Sequence, residues 1–324
     1  MKYFATYFDS GYLVPGDTLF RSLKKNGGEF RLFVVCLDDE LFELLCCHGE
    51  PELVPLRLAD IEAFDPEFAA TRATRSRVEY YFTLSPVLPL YLLHRFPELD
   101  SITYLDADLY FYSRPEPLFA ELGDGAVLII PHRFPAEIRW REQFGVYNVQ
   151  FQIYRRDPRT FAILHWWRER CLEWCFDRVE PARFADQKYL DEWPERFAGV
   201  VVSRLPGAGL APWNWSNYRL KLGNDGILTV DDERLIFYHF QGFKLLSNHL
   251  LYHNLGSYGK VMNASLLTFF YGNYLAELRS TIARWRQLEP EREFSLIRKS
   301  SRDKKTSIRN LLSAVVHRNL MWVK

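Results

Sequence analysis

The chain has 324 residues and carries 41 Lys+Arg against 41 Asp+Glu, so its formal charge is zero. Its 48% apolar and 25% charged residues make an ordinary globular composition, which excludes disorder, collagen and a long coiled coil; with no basic excess, a nucleic-acid partner is not expected. A chain of this length suits one large domain whose core needs neither disulfides nor a structural metal.

In chain order, Met1–Tyr12 carries Asp9 where a secretory leader needs an unbroken apolar stretch, and no run approaches the ~18 apolar residues of a membrane span. The five cysteines are odd in number and contain no CxxC, which points to a reducing, cytoplasmic setting. Thr18–Lys25 reads as an amphipathic helix and Phe30–Leu37 as a buried strand. Glu79–Arg95 reads as a second helix, bent or shortened at its start by Pro86 and Pro89. Ser101–Tyr112 reads as a further buried strand and Val146–Tyr154 as another. A helix from about Pro158 to Asp177 follows, with Asp157 as its N-cap. Cys171 and Cys175 lie four apart on that helix without a second ligand pair, so a packed apolar face explains them. Strands alternating with helices predict an α/β fold with a mainly parallel central sheet, whose ligands bind at the carboxyl ends of the strands.

The end of the chain differs in kind. Arg284–Lys324 carries a net charge of +7, which leaves −7 on the first 283 residues. Ile308–Val323 sets Leu311, Leu312, Val315, Leu320 and Trp322 among Arg309, His317 and Arg318. That pattern predicts a basic amphipathic helix, lying on an anionic membrane surface or packed on the domain. The expected division is a catalytic domain over 1–260 and a helical, basic extension over 261–324.

Asp106-Ala107-Asp108 is the central chemical signal. Eighteen aspartates in 324 residues give about one Asp-x-Asp triplet by chance, so its context has to carry it. The triplet closes the apolar run Ile102–Leu105, where an ionised carboxylate is costly unless a cation answers it. On an extended strand the two side chains share one face and suit a hard divalent ion such as Mn²⁺ or Mg²⁺. Turn or capping aspartates are the alternative.

Four segments in order resemble family 8 of the retaining GT-A glycosyltransferases. YLDADLYFY (104–112) resembles the DxD motif, VYNVQFQIYRRD (146–157) the N-A-G-V strand, FADQKYLD (184–191) the D-Q segment and YHFQGFK (238–244) the C-terminal H-x-x-G-x-x-K motif. The resemblance covers roughly residues 2–250. It implies a GT-A fold and transfer, with retention, of a hexose or N-acetylhexosamine from a UDP-sugar. The acceptor would be a saccharide or lipid-linked saccharide in cell-surface glycan synthesis, and the basic C-terminal tail places that synthesis, as an expectation, at the cytoplasmic membrane face. By the same resemblance Asp106, Asp108 and His239 hold the Mn²⁺ or Mg²⁺, and Asp106 also meets the nucleoside ribose. Lys244 neutralises the departing diphosphate, and Gly242 lets backbone approach a phosphate. Asn148, Asp186 and Gln187 surround the donor sugar, Ala5, Thr6 and Asp9 hold the uridine, and Arg77 reaches the sugar.

The chain departs from the family in three places. The last motif is one residue shorter, Gln150 stands where the family usually has Gly, and Thr83 aligns where the family usually has an Arg, so Arg77 is preferred over Arg72 and Arg75. Trp213, Asn214, Trp215 and Tyr218 are expected either to line the acceptor site or to plug the space beneath a loop. Two other readings stay open: an inverting enzyme with Asp186 as base, and an inert sugar- or nucleotide-binding protein. A nucleotidyltransferase is disfavoured, because Gly27-Gly28 is an isolated turn pair and no Gly-rich phosphate loop opens the chain.

Overall fold

The structure, a computed structural model, describes residues 1–296 and 314–323. Seven of the eight strands β1 (Lys2–Phe8), β2 (Phe30–Cys36), β3 (Leu53–Arg57), β4 (Ser101–Leu105), β5 (Leu109–Phe111), β6 (Val127–Pro131), β7 (Tyr147–Arg155) and β8 (Val200–Val202) build the central sheet, in the order β3-β2-β1-β4-β7-β6-β8. Every neighbouring pair is parallel except the two made by β7. The apolar run of β2 is buried at six of its seven positions, as expected of a parallel strand covered on both faces. Side-chain alternation then divides the core into two layers. Phe4, Leu105 and Phe151 face the helices Leu13–Asn26 and Asn273–Leu288, while Ala5, Ile102 and Tyr104 face Arg77–Arg95 and Pro158–Glu173. The result is a mostly parallel sheet between helical layers, the arrangement that the resemblance to GT-A enzymes implies.

Three local expectations need correction. The helix Arg77–Arg95 is not cut short by its prolines; Pro86 and Pro89 are both buried inside it. Its start is fixed by a reciprocal cap, in which Glu79 accepts from the Ser76 backbone N–H at 2.8 Å and Ser76 accepts from the Glu79 N–H at 3.4 Å. That cap and a long buried face outweigh the two missing donors. Next, Ser101–Tyr112 is not one strand. β4 stops at Leu105, and β5 leaves the central sheet to pair antiparallel with the strand Phe237–His239. Asp106–Asp108 is the turn between them, closed by Leu109 N–H to the Asp106 carbonyl at 3.3 Å.

The third correction concerns the expected helix Ile308–Val323. Ile308–Ser313 lie outside the described residues; Ala314–Val316 are helical, but Leu320–Trp322 form a strand on the edge of Leu250–Tyr252. Asn319 ends the helical turn. Its Oδ1 accepts from Gly256 N–H at 2.7 Å and its Nδ2 donates to Ser257 at 3.0 Å, while Arg318 takes a positive φ. Upstream, Asn273–Leu288 packs on the first helix: Thr281 and Thr18 share a hydrogen bond of 2.9 Å, and buried Asp17 accepts from Arg284 at 2.5 Å and from the Trp285 indole at 3.0 Å. No helix among the described residues is long and apolar enough to cross a membrane.

Candidate active site

The turn after β4 and the register of β5 assemble the metal corner. Leu109 pairs with His239, so the imidazole lands beside the residue before Leu109. His239 Nε2 lies 3.0 Å from Asp108 Oδ1 and 3.8 Å from Asp106 Oδ2. One ligand atom from each of the three falls within 4.8 Å of the others, a group that could hold a metal ion among the described residues. Two carboxylate oxygens and one imidazole nitrogen fit a borderline-hard ion such as Mn²⁺. Asp106 and Asp108 therefore do share a face, through a turn rather than along a strand.

Electrostatics agree with a cation-seeking site. Burial raises the Asp106 carboxyl to about 6; the charge of His239 and a 2.9 Å hydrogen bond from Tyr104 oppose this, and the charge of Asp108 adds to it. Burial disfavours a charged His239, but the charge and hydrogen bond of Asp108, joined by Asp106, raise its pKa on balance.

A chain of buried hydrogen bonds runs behind the ring. His239 Nδ1 lies 2.7 Å from Gln150 Oε1; the Gln150 backbone N–H donates to Asn148 Oδ1 at 2.7 Å; Asn148 Nδ2 donates to His132 Nε2 at 2.9 Å. His132 Nδ1 completes it by facing the Val146 carbonyl at 3.3 Å. Burial holds His132 down at about 3, so this ring is neutral and free to accept from Asn148.

Beyond this corner, the expected site residues fall into two settings. Ala5 and Thr6 are buried in β1, and the Thr6 hydroxyl has no hydrogen-bond partner among the described residues. Asp9 sits past the end of β1 and forms an ion pair with Arg77, whose Nε also donates to Tyr81 at 2.9 Å. Thr83 is buried and bonds back to the Glu79 carbonyl at 2.8 Å, so it faces its own helix. Asp186 is 5% exposed, and burial pushes its carboxyl up to about 7 against the Ser85 hydroxyl and nearby backbone N–H groups. Gln187 donates to the Phe144 carbonyl at 2.8 Å. Gly242 has φ +76°, and a Cβ there would stand 2.5 Å from Asn254 Nδ2, so only glycine makes this turn. Lys244 opens the strand Lys244–Ser247, exposed, with its ammonium 5.9 Å from the Tyr252 ring centroid.

The aromatic segment after Leu210 is a plug. Trp213 and Asn214 are buried and both donate to the His132 carbonyl at 2.9 Å; Trp213 stands edge-on to His239 with ring centroids 5.3 Å apart. Trp215 and Tyr218 are partly buried against the core. Residue types alone do not tell a sugar platform from such a plug, because both use Trp and Asn. The sequence also passed over Ser85, Tyr104 and His132, and Tyr7, whose hydroxyl lies 3.2 Å from Ser85 Oγ. Only Tyr104 carried a local signal, two residues before Asp106 near the end of β4.

No model of a known protein family matches the chain. YfnF of Bacillus subtilis (strain 168) is 31% identical over 252 residues, covering 75% of this chain and 82% of that protein; YfnD of the same organism is 29% identical over 284 residues, covering 86% and 89%. Both are described as uncharacterized. Among solved structures the chain is similar to the galactosyltransferase LgtC in complex with donor and acceptor sugar analogues. That match has a TM-score of 0.50 and 14% identity over 86% of this chain and 95% of the other. Mouse xyloside xylosyltransferase 1, in its apo form, gives 0.46 and 14% over 74% and 98%. At 14% identity the likeness to LgtC is one of fold.

Proposed function

The chain belongs to the family of Bacillus subtilis YfnF and is built on the GT-A glycosyltransferase fold, and from that premise we propose that it moves a sugar from a nucleotide diphosphate donor to a saccharide acceptor. The observation that carries the reading is the convergence of Asp106, Asp108 and His239 at the carboxyl end of β4. In this reading the donor is a UDP-hexose or UDP-N-acetylhexosamine, and the ion held by the three is Mn²⁺ or Mg²⁺. Bound there, such an ion supplies Lewis-acid stabilisation of the diphosphate leaving group.

The chain's own residues would do the rest. Lys244 would add positive charge near the leaving group, Arg77 would exchange its ion pair with Asp9 for contact with the donor, and Gln187 would position the sugar. An amide is a poor nucleophile, so Gln187 orients rather than forming an adduct. Retention is favoured over inversion because Asp186, the candidate base, is 5% exposed and faces the Ser85 hydroxyl instead of solvent. The acceptor would be a saccharide or lipid-linked saccharide in cell-surface glycan synthesis. Exposed Val315, Val316 and Trp322, within a segment of net charge +7, fit peripheral contact with an anionic membrane.

Hydrolysis of a panel of UDP-, GDP- and dTDP-sugars, with Mn²⁺ and with chelator, tests the proposal. Metal-dependent turnover of one UDP-sugar is expected; no turnover of any donor, with metal present, would contradict it.

A further inference from the structure

The family resemblance places glycine where this chain has Gln150, and a glycine offers no side chain to anything. Here the carboxamide is fully buried and meets the one imidazole of the metal corner, 89 residues away in sequence. We infer that Gln150 is the positioning residue for the metal ligand His239: its Oε1 accepts a hydrogen bond from Nδ1–H, which keeps the proton on Nδ1 and so presents the Nε2 lone pair to the ion. The inference rests on the metal-dependent reading proposed above.

The geometry leaves the ring few alternatives. A neutral imidazole carries one proton, and the hydrogen bond made by one nitrogen decides which nitrogen is left to ligate. Gln150 Oε1 at 2.7 Å from Nδ1 fixes the proton there, while Nε2 points at the two carboxylates. Trp213 blocks one side of the ring edge-on. The glutamine itself is held by its backbone N–H on Asn148 Oδ1, at the register shift between β6 and β7.

Room for the larger side chain comes from Gly209. Its φ is +81°, and a Cβ there would lie 2.7 Å from Ile130 Cγ2 and 3.0 Å from Gln150 Nε2. Gln150 Nε2 is buried with no hydrogen-bond partner among the described residues. An apolar residue of the same shape would spare that unmet donor, so retaining a glutamine costs stability unless its oxygen has a task.

The test measures Mn²⁺ affinity of the full-length protein by electron paramagnetic resonance, without donor sugar, for the wild type, Gln150→Met and Gln150→Glu. The ¹⁵N pattern of the His239 ring is recorded beside it with Mg²⁺ as a diamagnetic ion. Gln150→Met keeps the volume and removes the acceptor. It is expected to fold with an unchanged melting temperature or a higher one, to bind Mn²⁺ about 10- to 100-fold more weakly, and to lose the Nδ1-protonated signature. Gln150→Glu keeps an oxygen at the same reach and is expected to retain both affinity and signature. Equal Mn²⁺ affinity in wild type and Gln150→Met would overturn the inference while leaving the metal reading intact, as would a Gln150→Glu variant as weak as Gln150→Met. A wild type that binds no Mn²⁺ would overturn both.

Discussion

Around His239 the polar groups are buried and largely answered from within: the ring lies between Gln150 and Asp108, Asn148 bridges Gln150 and His132, and Trp213 and Asn214 brace the same loop. At Asp9 and at Lys244 the arrangement is the reverse. Arg77 is 66% exposed where it pairs with Asp9, and Lys244 is exposed at the start of its strand. In the proposed reading, groups that would meet a small ion are thus held by their protein partners in advance. Groups that would meet a flexible nucleotide are left on long, hydrated side chains that exchange partners cheaply.

Removing a ligand from the fixed corner should have the largest effect. Asp108→Ala is expected to lower kcat/KM on the order of 10³-fold, the several kcal/mol a Lewis-acid site contributes. Steady-state kinetics with the best donor checks this, and a variant that kept its metal dependence would break the contrast. Trp213→Ala comes next. As a buried brace, not a sugar platform, it should lose about 3–5 kcal/mol of folding stability in urea titrations; unchanged stability with a raised acceptor KM would restore the platform reading.

Asp186 adds a pH dependence. Its folded-state value of about 7 lies above the ordinary 3.8, so the folded protein holds this proton more tightly than the unfolded chain does. The associated stabilisation is complete below about pH 4 and is lost as pH rises to about 7. Asp186→Asn carries no such proton. Its stability relative to wild type should climb between pH 4 and 7 and then level off, reaching at most roughly 4 kcal/mol; urea midpoints across that range measure it. Arg77→Ala is the mildest change. Its ion pair is largely exposed, so stability should move by no more than about 0.5 kcal/mol. The donor KM should rise several-fold with kcat nearly unchanged.

The fold and the clustering of Asp106, Asp108 and His239 were legible because their signals are local or ordered along the chain. Apolar runs marked β2, β4 and β7, and the four motifs came in family order, so Asp106, Asp108 and His239 could be named before their distances were known. What was hidden depends on partners far away in sequence. Nothing near Gln150 indicates His239, and nothing in APWNWSNY shows that Trp213 is buried beneath the His132 loop. The two halves of Ser101–Tyr112 carry the same strand composition, yet the pairing of β5 with Phe237–His239 turns the chain at Asp106. Leu320–Trp322 kept helical spacing on paper, but an open edge at Leu250–Tyr252 offered backbone hydrogen bonds that spacing does not reveal.

In the proposed function, one nucleotide diphosphate site is completed by an ion held on Asp106, Asp108 and His239. Calorimetric titration of UDP into the full-length protein, with and without Mn²⁺, tests it most directly. Binding is expected to strengthen at least tenfold with the ion in the wild type and to show no such gain in Asp108→Ala. UDP binding that is the same with and without Mn²⁺, or the same in both proteins, would contradict it.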